Sequence, residues 1–121
     1  MDKKEKVDLK GLLEGTFHEY PPYGFAPPGL PKIRTDARHV YYRSNQELGM
    51  EWTTWVLFDD PFSVESLRIY QLKFEEMHRI VEENAKEDDN NAFLTFDRIR
   101  PSLCGKDAYT SLKRYIENPN K

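Results

Sequence analysis

The spacing of apolar residues between positions 67 and 81 constrains the fold more than any other feature of this sequence. Leu67, Tyr70, Phe74, Met77 and Val81 follow one another at intervals of three and four residues. That spacing places them on one stripe of an amphipathic α-helix. Three further apolar residues widen the stripe beyond what a single contact needs: Ile69, Leu72 and Ile80. The pattern therefore predicts a helix buried on two sides, against its own hairpin and against a second subunit.

The limits of this helix are set by the residues that flank the stripe. Asp59-Asp60-Pro61 supplies the acidic residues and the proline that favour a helix start, and Ser63 is an alternative N-cap. The polar run 87–91 favours a loop after the last apolar residue. We therefore expect one long helix over about residues 63–86.

Two segments before this helix have the composition of β-strands. Arg38–Ser44 is rich in β-formers, and along Met50–Phe58 two sets of side chains alternate between the two faces of a strand. The residues between these segments, 45–49, have the length of a hairpin loop. Trp52 and Trp55 fall on opposite faces of the second strand. One tryptophan belongs in the core. We expect Trp55 to be the other one, covered by a partner or by another segment of this chain.

Shorter signals complete the predicted fold. Residues 1–6 predict a flexible tail, and one or two turns of helix precede Gly15. Residues 92–100 fit either a short helix or a strand, and a last helix follows Gly105 with Asp107 as its cap. The sum is a single α+β domain over residues 7–118. In it, a small antiparallel hairpin or meander packs against the long helix and one or two short helices.

A proline-rich stretch, Tyr20–Pro31, lies inside this domain with the sequence YPPYGFAPPGLP. Prolines lack the amide donor that an inner strand needs, so the segment is not part of a sheet interior. It carries too many large side chains for a free linker, which would normally be polar. We expect residues 20–34 to form a strap that packs on its own domain or binds a partner. The candidate partner-binding residues are Tyr20, Tyr23, Phe25, Leu30 and Trp55.

Charge and cysteine content bear on the class of protein. The net charge is −3, but residues 49–94 sum to −7 and residues 95–121 to +3. The acidic middle would repel nucleic acid, so nucleic-acid binding is disfavoured. A single cysteine, Cys104, suits a reducing compartment, and the charged start of the chain does not resemble a leader peptide. The sequence therefore predicts a soluble intracellular protein that does not enter a membrane.

Few residues suggest catalysis. The Glu75-x-x-His78 pair is half of a helical metal motif, but the other predicted helices contain no histidine to complete it. The candidate residues of a small metal-dependent hydrolase or nuclease are Asp59, Asp60, Glu75, His78 and Cys104. The candidate residues of a weak nucleic-acid-binding surface are Arg98, Arg100, Lys106, Lys113 and Arg114.

The favoured expectation is a non-enzymatic protein-interaction module that docks to a protein partner or self-associates. It rests on the aromatic content, the wide apolar stripe and the proline-rich strap. We expect no catalytic residue, no metal, no cofactor and no small-molecule substrate. The enzyme and the nucleic-acid-binding domain remain the alternatives.

Overall fold

A five-stranded antiparallel sheet organises the part of the chain that the computed structural model describes, residues 7–20, 30–47, 49–88, 90 and 92–117. The helices within these residues are α1 (Leu9–Leu13), α2 (Phe74–Glu87) and α3 (Gly105–Glu117). The strands are β1 (His18–Glu19), β2 (Ile33–Arg34), β3 (His39–Glu47), β4 (Met50–Phe58), β5 (Arg68–Lys73), β6 (Leu94–Thr95) and β7 (Leu103–Cys104). The strand order in the main sheet is β1-β3-β4-β5-β7, and β2 pairs with β6 in parallel. The α+β class is confirmed.

The predicted hairpin forms from β3 and β4. Its register runs from the pair His39 and Phe58 to the pair Glu47 and Met50. Gly49, beside the turn, has φ +78°, a backbone conformation that residues with a Cβ rarely adopt. Glycine at this position therefore allows the turn between β3 and β4 to form without backbone strain.

The first part of the predicted long helix is wrong, because Arg68–Lys73 is strand β5. This segment pairs antiparallel with β4, from Lys73 opposite Trp52 to Arg68 opposite Leu57. A strand covered on both faces has apolar residues at nearly every position, and such a run also satisfies helical spacing. Only Phe74–Glu87 is helical, so the helix is 14 residues long.

The predicted helix start at Asp59-Asp60-Pro61 is also wrong, because these residues form the turn between β4 and β5. The Asp60 carboxylate accepts a hydrogen bond from the Phe62 amide at 2.8 Å. The Asp59 carboxylate accepts one from the Arg38 amide at 3.3 Å. Aspartate favours such turns for the same reason that it favours helix caps, since its short side chain reaches nearby amides.

The two predicted end helices are present as α1 and α3, but the expected cap at Asp107 is wrong, because α3 begins at Gly105 and Asp107 lies in its first turn. The Asp8 carboxylate accepts a hydrogen bond from the Gly11 amide at 3.1 Å and so caps α1. At the other end, Gly105 joins β7 to α3 with φ +64° and donates its amide to the Leu67 carbonyl at 2.8 Å. This bond fixes the start of α3 beside the β5 end of the sheet.

The sheet is covered on both faces. One face, which we call the α3 face, packs against α1 and α3 through Leu9, Leu13, Phe17, Tyr41, Val56, Phe58, Leu67, Ile69, Ala108 and Leu112. The other, the α2 face, packs against α2 and the β2–β6 pair through Tyr20, Val40, Trp55, Leu57, Tyr70, Leu72, Met77, Leu94 and Phe96. The predicted hairpin or meander, long helix and short helices were not assigned to particular faces of the sheet, and the structure places helices on both.

The ends of the proline-rich stretch are held close together. The Tyr20 hydroxyl donates a hydrogen bond to the Pro31 carbonyl at 2.6 Å, and Leu30 packs against the α2-face core. Burial raises the pKa of the Tyr20 phenol above its ordinary value. The strap residues 21–29 and the predicted tail 1–6 lie outside the described residues.

No helix in the described ranges is long and apolar enough to span a membrane.

The expectation that Trp52 is the core tryptophan and that Trp55 lies outside the core is wrong, since the Trp55 side chain is 0% exposed and belongs to the α2-face core. Its indole N–H points to the Met77 sulfur at 3.3 Å, and its ring lies 5.5 Å from Tyr20 and 5.7 Å from Phe96. Trp55 shares its face of β4 with the polar residues Glu51 and Thr53, which is why the sequence favoured a position outside the core. Thr53 is nevertheless buried, with 1% of its surface exposed. Trp52 is the half-buried tryptophan.

Replacing Trp55 with alanine should lower the free energy of unfolding by about 3–5 kcal/mol, because a large buried ring leaves a cavity. Trp52→Ala is the matched control and should cost clearly less, since that ring is only half-buried. Urea unfolding followed by circular dichroism measures both. Equal losses for the two variants would contradict the assignment of Trp55 to the core.

Candidate functional site

A cleft of about 540 Å³ opens between α3 and the sheet. We call it the α3 cleft. It is lined by Phe17, Thr54, Ile69, Gln71, Leu103, Ser111, Leu112, Arg114 and Tyr115. Phe17, Ile69 and Leu112 are buried and form an apolar floor, while Gln71 and Arg114 are exposed at the mouth. An apolar concavity with a few convergent polar groups is the usual form of a binding site.

The strand register explains how the sheet side of the cleft is assembled. Thr54 on β4 lies opposite Arg43 on β3 and Gln71 on β5. Directly paired residues point to the same face of a sheet. These side chains therefore share the α3 face, one row beyond the apolar row that contains Val56 and Ile69.

Tyr115 closes the β3 side of the cleft from the last turns of α3. The Asn45 amide donates a hydrogen bond to its hydroxyl. The Arg43 guanidinium lies over its ring, 5.0 Å from the centroid. The Phe17 ring also packs against it, tilted by 57° at a centroid distance of 6.0 Å. The ring is held by three neighbours and is a fixed wall of the cleft.

Four polar side chains in the lining make no hydrogen bond and no ion pair within the described residues: Thr54, Gln71, Ser111 and Arg114. Together they offer two hydroxyls, one amide and one guanidinium. Because Thr54 is only 7% exposed, its hydroxyl lies close to the floor of the cleft. The cleft thus combines an apolar floor with unused hydrogen-bonding capacity.

The surface continues from the cleft towards the hairpin end. Trp52 precedes Thr54 by two residues on the same face of β4, and Met50 precedes it by four. Lys73 lies opposite Trp52, with its ammonium 5.3 Å from the indole centroid. Met50 is 44% exposed. We call Arg43, Asn45, Met50, Trp52 and Lys73 the hairpin surface.

The cleft and the hairpin surface carry positive charge. Arg43, Lys73 and Arg114 are their cations, and the described lining of the cleft contains no carboxylate. The ion pair recorded among the described residues is elsewhere, between Arg98 and Glu87 at 3.9 Å. Within the part of the chain that the structure describes, none of the three cations forms an ion pair with a carboxylate.

The residues predicted from sequence to bind a partner do not lie in this cleft. Tyr20 and Trp55 are buried under the α2 face, and Leu30 is half-buried beside them. Tyr23 and Phe25 lie outside the described residues.

The candidate metal ligands are spread over several elements. Asp59 and Asp60 are in the turn after β4, Glu75 and His78 are in α2, and Cys104 is exposed in β7. Among the described residues, no group of three or more histidine, cysteine, aspartate or glutamate side chains is placed to hold a metal ion.

The candidate basic residues also separate. Arg98 pairs with Glu87 at the end of α2. Lys113 lies over the Tyr109 ring at 5.9 Å, and Arg114 lines the cleft. Of the set, Arg114 is the one that belongs to the site.

Sequence reasoning missed Thr54, Gln71 and Trp52 as site residues. A usable signal was present, since Gln71 lies between Tyr70 and Leu72, and Thr54 directly precedes the apolar run Trp55–Phe58. That signal could be used only with β5 recognised as a strand, because the helical interpretation separated Gln71 from Thr54. Comparison with protein-family models, curated proteins and solved structures finds no match to this chain.

One histidine on the α3 face has a shifted pKa. His39 stacks on Phe58 with ring centroids 5.1 Å apart. Desolvation lowers the pKa of His39 below its ordinary value, and the positive charges of Lys10 and Arg38 add to that effect, while Glu19 and Asp59 oppose it. The folded protein therefore favours the neutral ring.

Stability should fall as the pH drops through about 6.5, the unfolded pKa of histidine, because the unfolded chain then takes up a proton more readily than the folded one. His39→Phe keeps a ring on Phe58 and removes this titration. Urea midpoints at pH 7.5 and at pH 5.5 should differ more for the wild type than for the variant. An equal or larger change in the variant would contradict the lowered pKa.

Proposed function

We propose that this protein is a non-enzymatic protein-interaction module, and that it binds its partner through the α3 cleft and the hairpin surface. The observation that carries the proposal is the set of polar side chains around the cleft that make no hydrogen bond within the described residues. A bound chain could satisfy these groups with its backbone amides and carbonyls.

The composition of this surface supports a protein partner. Tryptophan, tyrosine, methionine and arginine are enriched in the cores of protein interfaces. The surface contains each of them, in Trp52, Tyr115, Met50 and two arginines, Arg43 and Arg114. Residues of this kind, grouped on one face, are the usual anchors of binding energy.

The length of the surface favours a polypeptide over a small ligand. From Thr54 to Met50 the strand advances by four residues, or roughly 14 Å. That distance is additional to the cleft itself, whose volume of about 540 Å³ already suits a small ligand or a large side chain. A peptide segment could fill the cleft with one side chain and continue along β4.

A site-specific photo-crosslinker in place of Gln71 tests the proposal. Gln71 is exposed at the mouth of the cleft, so a bound partner should be captured as a discrete adduct in cells that express the protein. Adding Trp52→Ala should reduce adduct formation by about tenfold, which corresponds to the loss of an aromatic anchor worth about 1.4 kcal/mol.

Phe62→Ala is the matched control, since Phe62 is an exposed aromatic residue at the far end of β4 with 54% of its surface accessible. It should leave the adduct unchanged. Thermal unfolding would establish that both variants are folded. The proposal fails when no protein adduct forms, or when both substitutions weaken it equally.

The proline-rich segment is tested in the same way. Tyr23→Ala and Phe25→Ala should each reduce the adduct where the strap contributes to the interface. An unchanged adduct would remove these two residues from the partner-binding set and leave the α3 cleft as the binding surface.

A further inference from the structure

We infer that the segment that binds the α3 cleft is acidic and carries one large apolar side chain as its anchor. This inference rests on the proposed function and specifies the chemistry of the partner. Its two parts come from separate observations, the placement of three cations and the apolar floor of the cleft.

The cations surround the surface on three sides. Arg43 and Lys73 flank β4 from the two neighbouring strands, one in the row of Thr54 and the other in the row of Trp52. Their strands are two strand spacings apart, and the two residues are offset by two positions along the strand direction, so their Cα atoms are about 12 Å apart. Arg114 lies across the cleft on α3. A segment that runs along β4 would pass between all three charges.

These cations remain able to bind carboxylates. Arg43 stacks on Tyr115, and Lys73 lies over Trp52. Stacking occupies the face of a guanidinium and leaves its N–H groups in the plane free for an acceptor. Arg114 is exposed and makes no ion pair within the described residues. Charge-assisted hydrogen bonds to carboxylates are the strongest contacts available to such groups.

The floor of the cleft provides the apolar part. Ile69 and Leu112 are buried, and Leu103, which is half-buried, also lines the cleft. A leucine or aromatic side chain placed there would remove apolar surface from water, at roughly 25 cal/mol per Å². The hydroxyls of Thr54 and Ser111 at the wall can accept or donate hydrogen bonds to the backbone of the same segment.

The charge on the opposite face of the molecule favours binding of an acidic segment at the α3 face over binding at the α2 face. Helix α2 carries five glutamates against two basic residues, Arg79 and Lys86, and it covers the α2 face. An acidic segment is repelled from that face and attracted to the α3 face. Long-range fields of this kind raise association rates and depend on ionic strength.

A library of short random peptides displayed on phage identifies the preferred chemistry without a known partner. Selection on the wild-type protein, with Trp52→Ala for counter-selection, should enrich peptides that have net negative charge and one leucine or aromatic residue. The double variant Lys73→Glu/Arg114→Glu should bind an enriched synthetic peptide about tenfold more weakly. Raising sodium chloride from roughly 0.05 M to 0.3 M should weaken the wild-type complex, because the Debye length shortens.

Arg79→Glu/Lys86→Glu is the charge-matched control, since it makes the same change of net charge on the exposed side of α2. It should leave the affinity of the same peptide within about twofold of the wild-type value. Enrichment of neutral or basic peptides would overturn the inference. Equal losses from the two double variants would overturn it as well, since net charge alone would then explain the effect.

The outcome also separates this inference from the proposed function. When the Gln71 crosslinker captures a protein in a Trp52-dependent way and Lys73→Glu/Arg114→Glu leaves that adduct intact, the interface stands and its acidic specificity fails. When neither the crosslinker nor the peptide library gives a Trp52-dependent ligand, both fail.

Discussion

The burial gradient along the central strand β4 determines the rest of the structure. From Thr53 to Phe58 every residue is buried, while Met50 and Glu51 are exposed and Trp52 is half-buried. A strand covered on both faces requires a layer on each side, and α2 and α3 supply them. The end of the strand that neither helix covers is the end that forms the hairpin surface.

Helix length explains why this end stays open. α3 has 13 residues and reaches about 20 Å, whereas β4 has nine residues and reaches about 30 Å. The Gly105–Leu67 hydrogen bond fixes the start of α3 beside the buried end of β4. The helix therefore runs out near Thr54, and the Tyr115 side chain bridges the last part of the gap to Asn45. The α3 cleft lies where sheet and helix begin to separate.

The sequence predicted those elements whose signals are local. The β3–β4 hairpin follows from alternation, and the two end helices follow from the positions of Gly15 and Gly105. β5 could not be predicted in this way, because Ile69, Tyr70 and Leu72 fit the wide apolar side of a helix as well as they fit a strand with both faces covered. The pairing with β4 decides between them, and that pairing is not local. The site depended on the same choice, since it needs Gln71 beside Thr54.

The division of charge between the two faces follows from the same pairing. Helix α2 begins at Phe74, directly after Lys73 ends β5, and Glu75 and Glu76 lie in its first turn, so the chain passes from the cationic α3 face to the acidic α2 helix within three residues. A single helix through residues 63–86 would have placed Lys73 and these glutamates on the surface of the same helix. Because residues 68–73 are a strand, Lys73 points to the α3 face with Trp52, and the glutamates follow on the other side of the sheet. The separation of charge that would orient an acidic partner is thus a product of the strand-to-helix transition at Lys73.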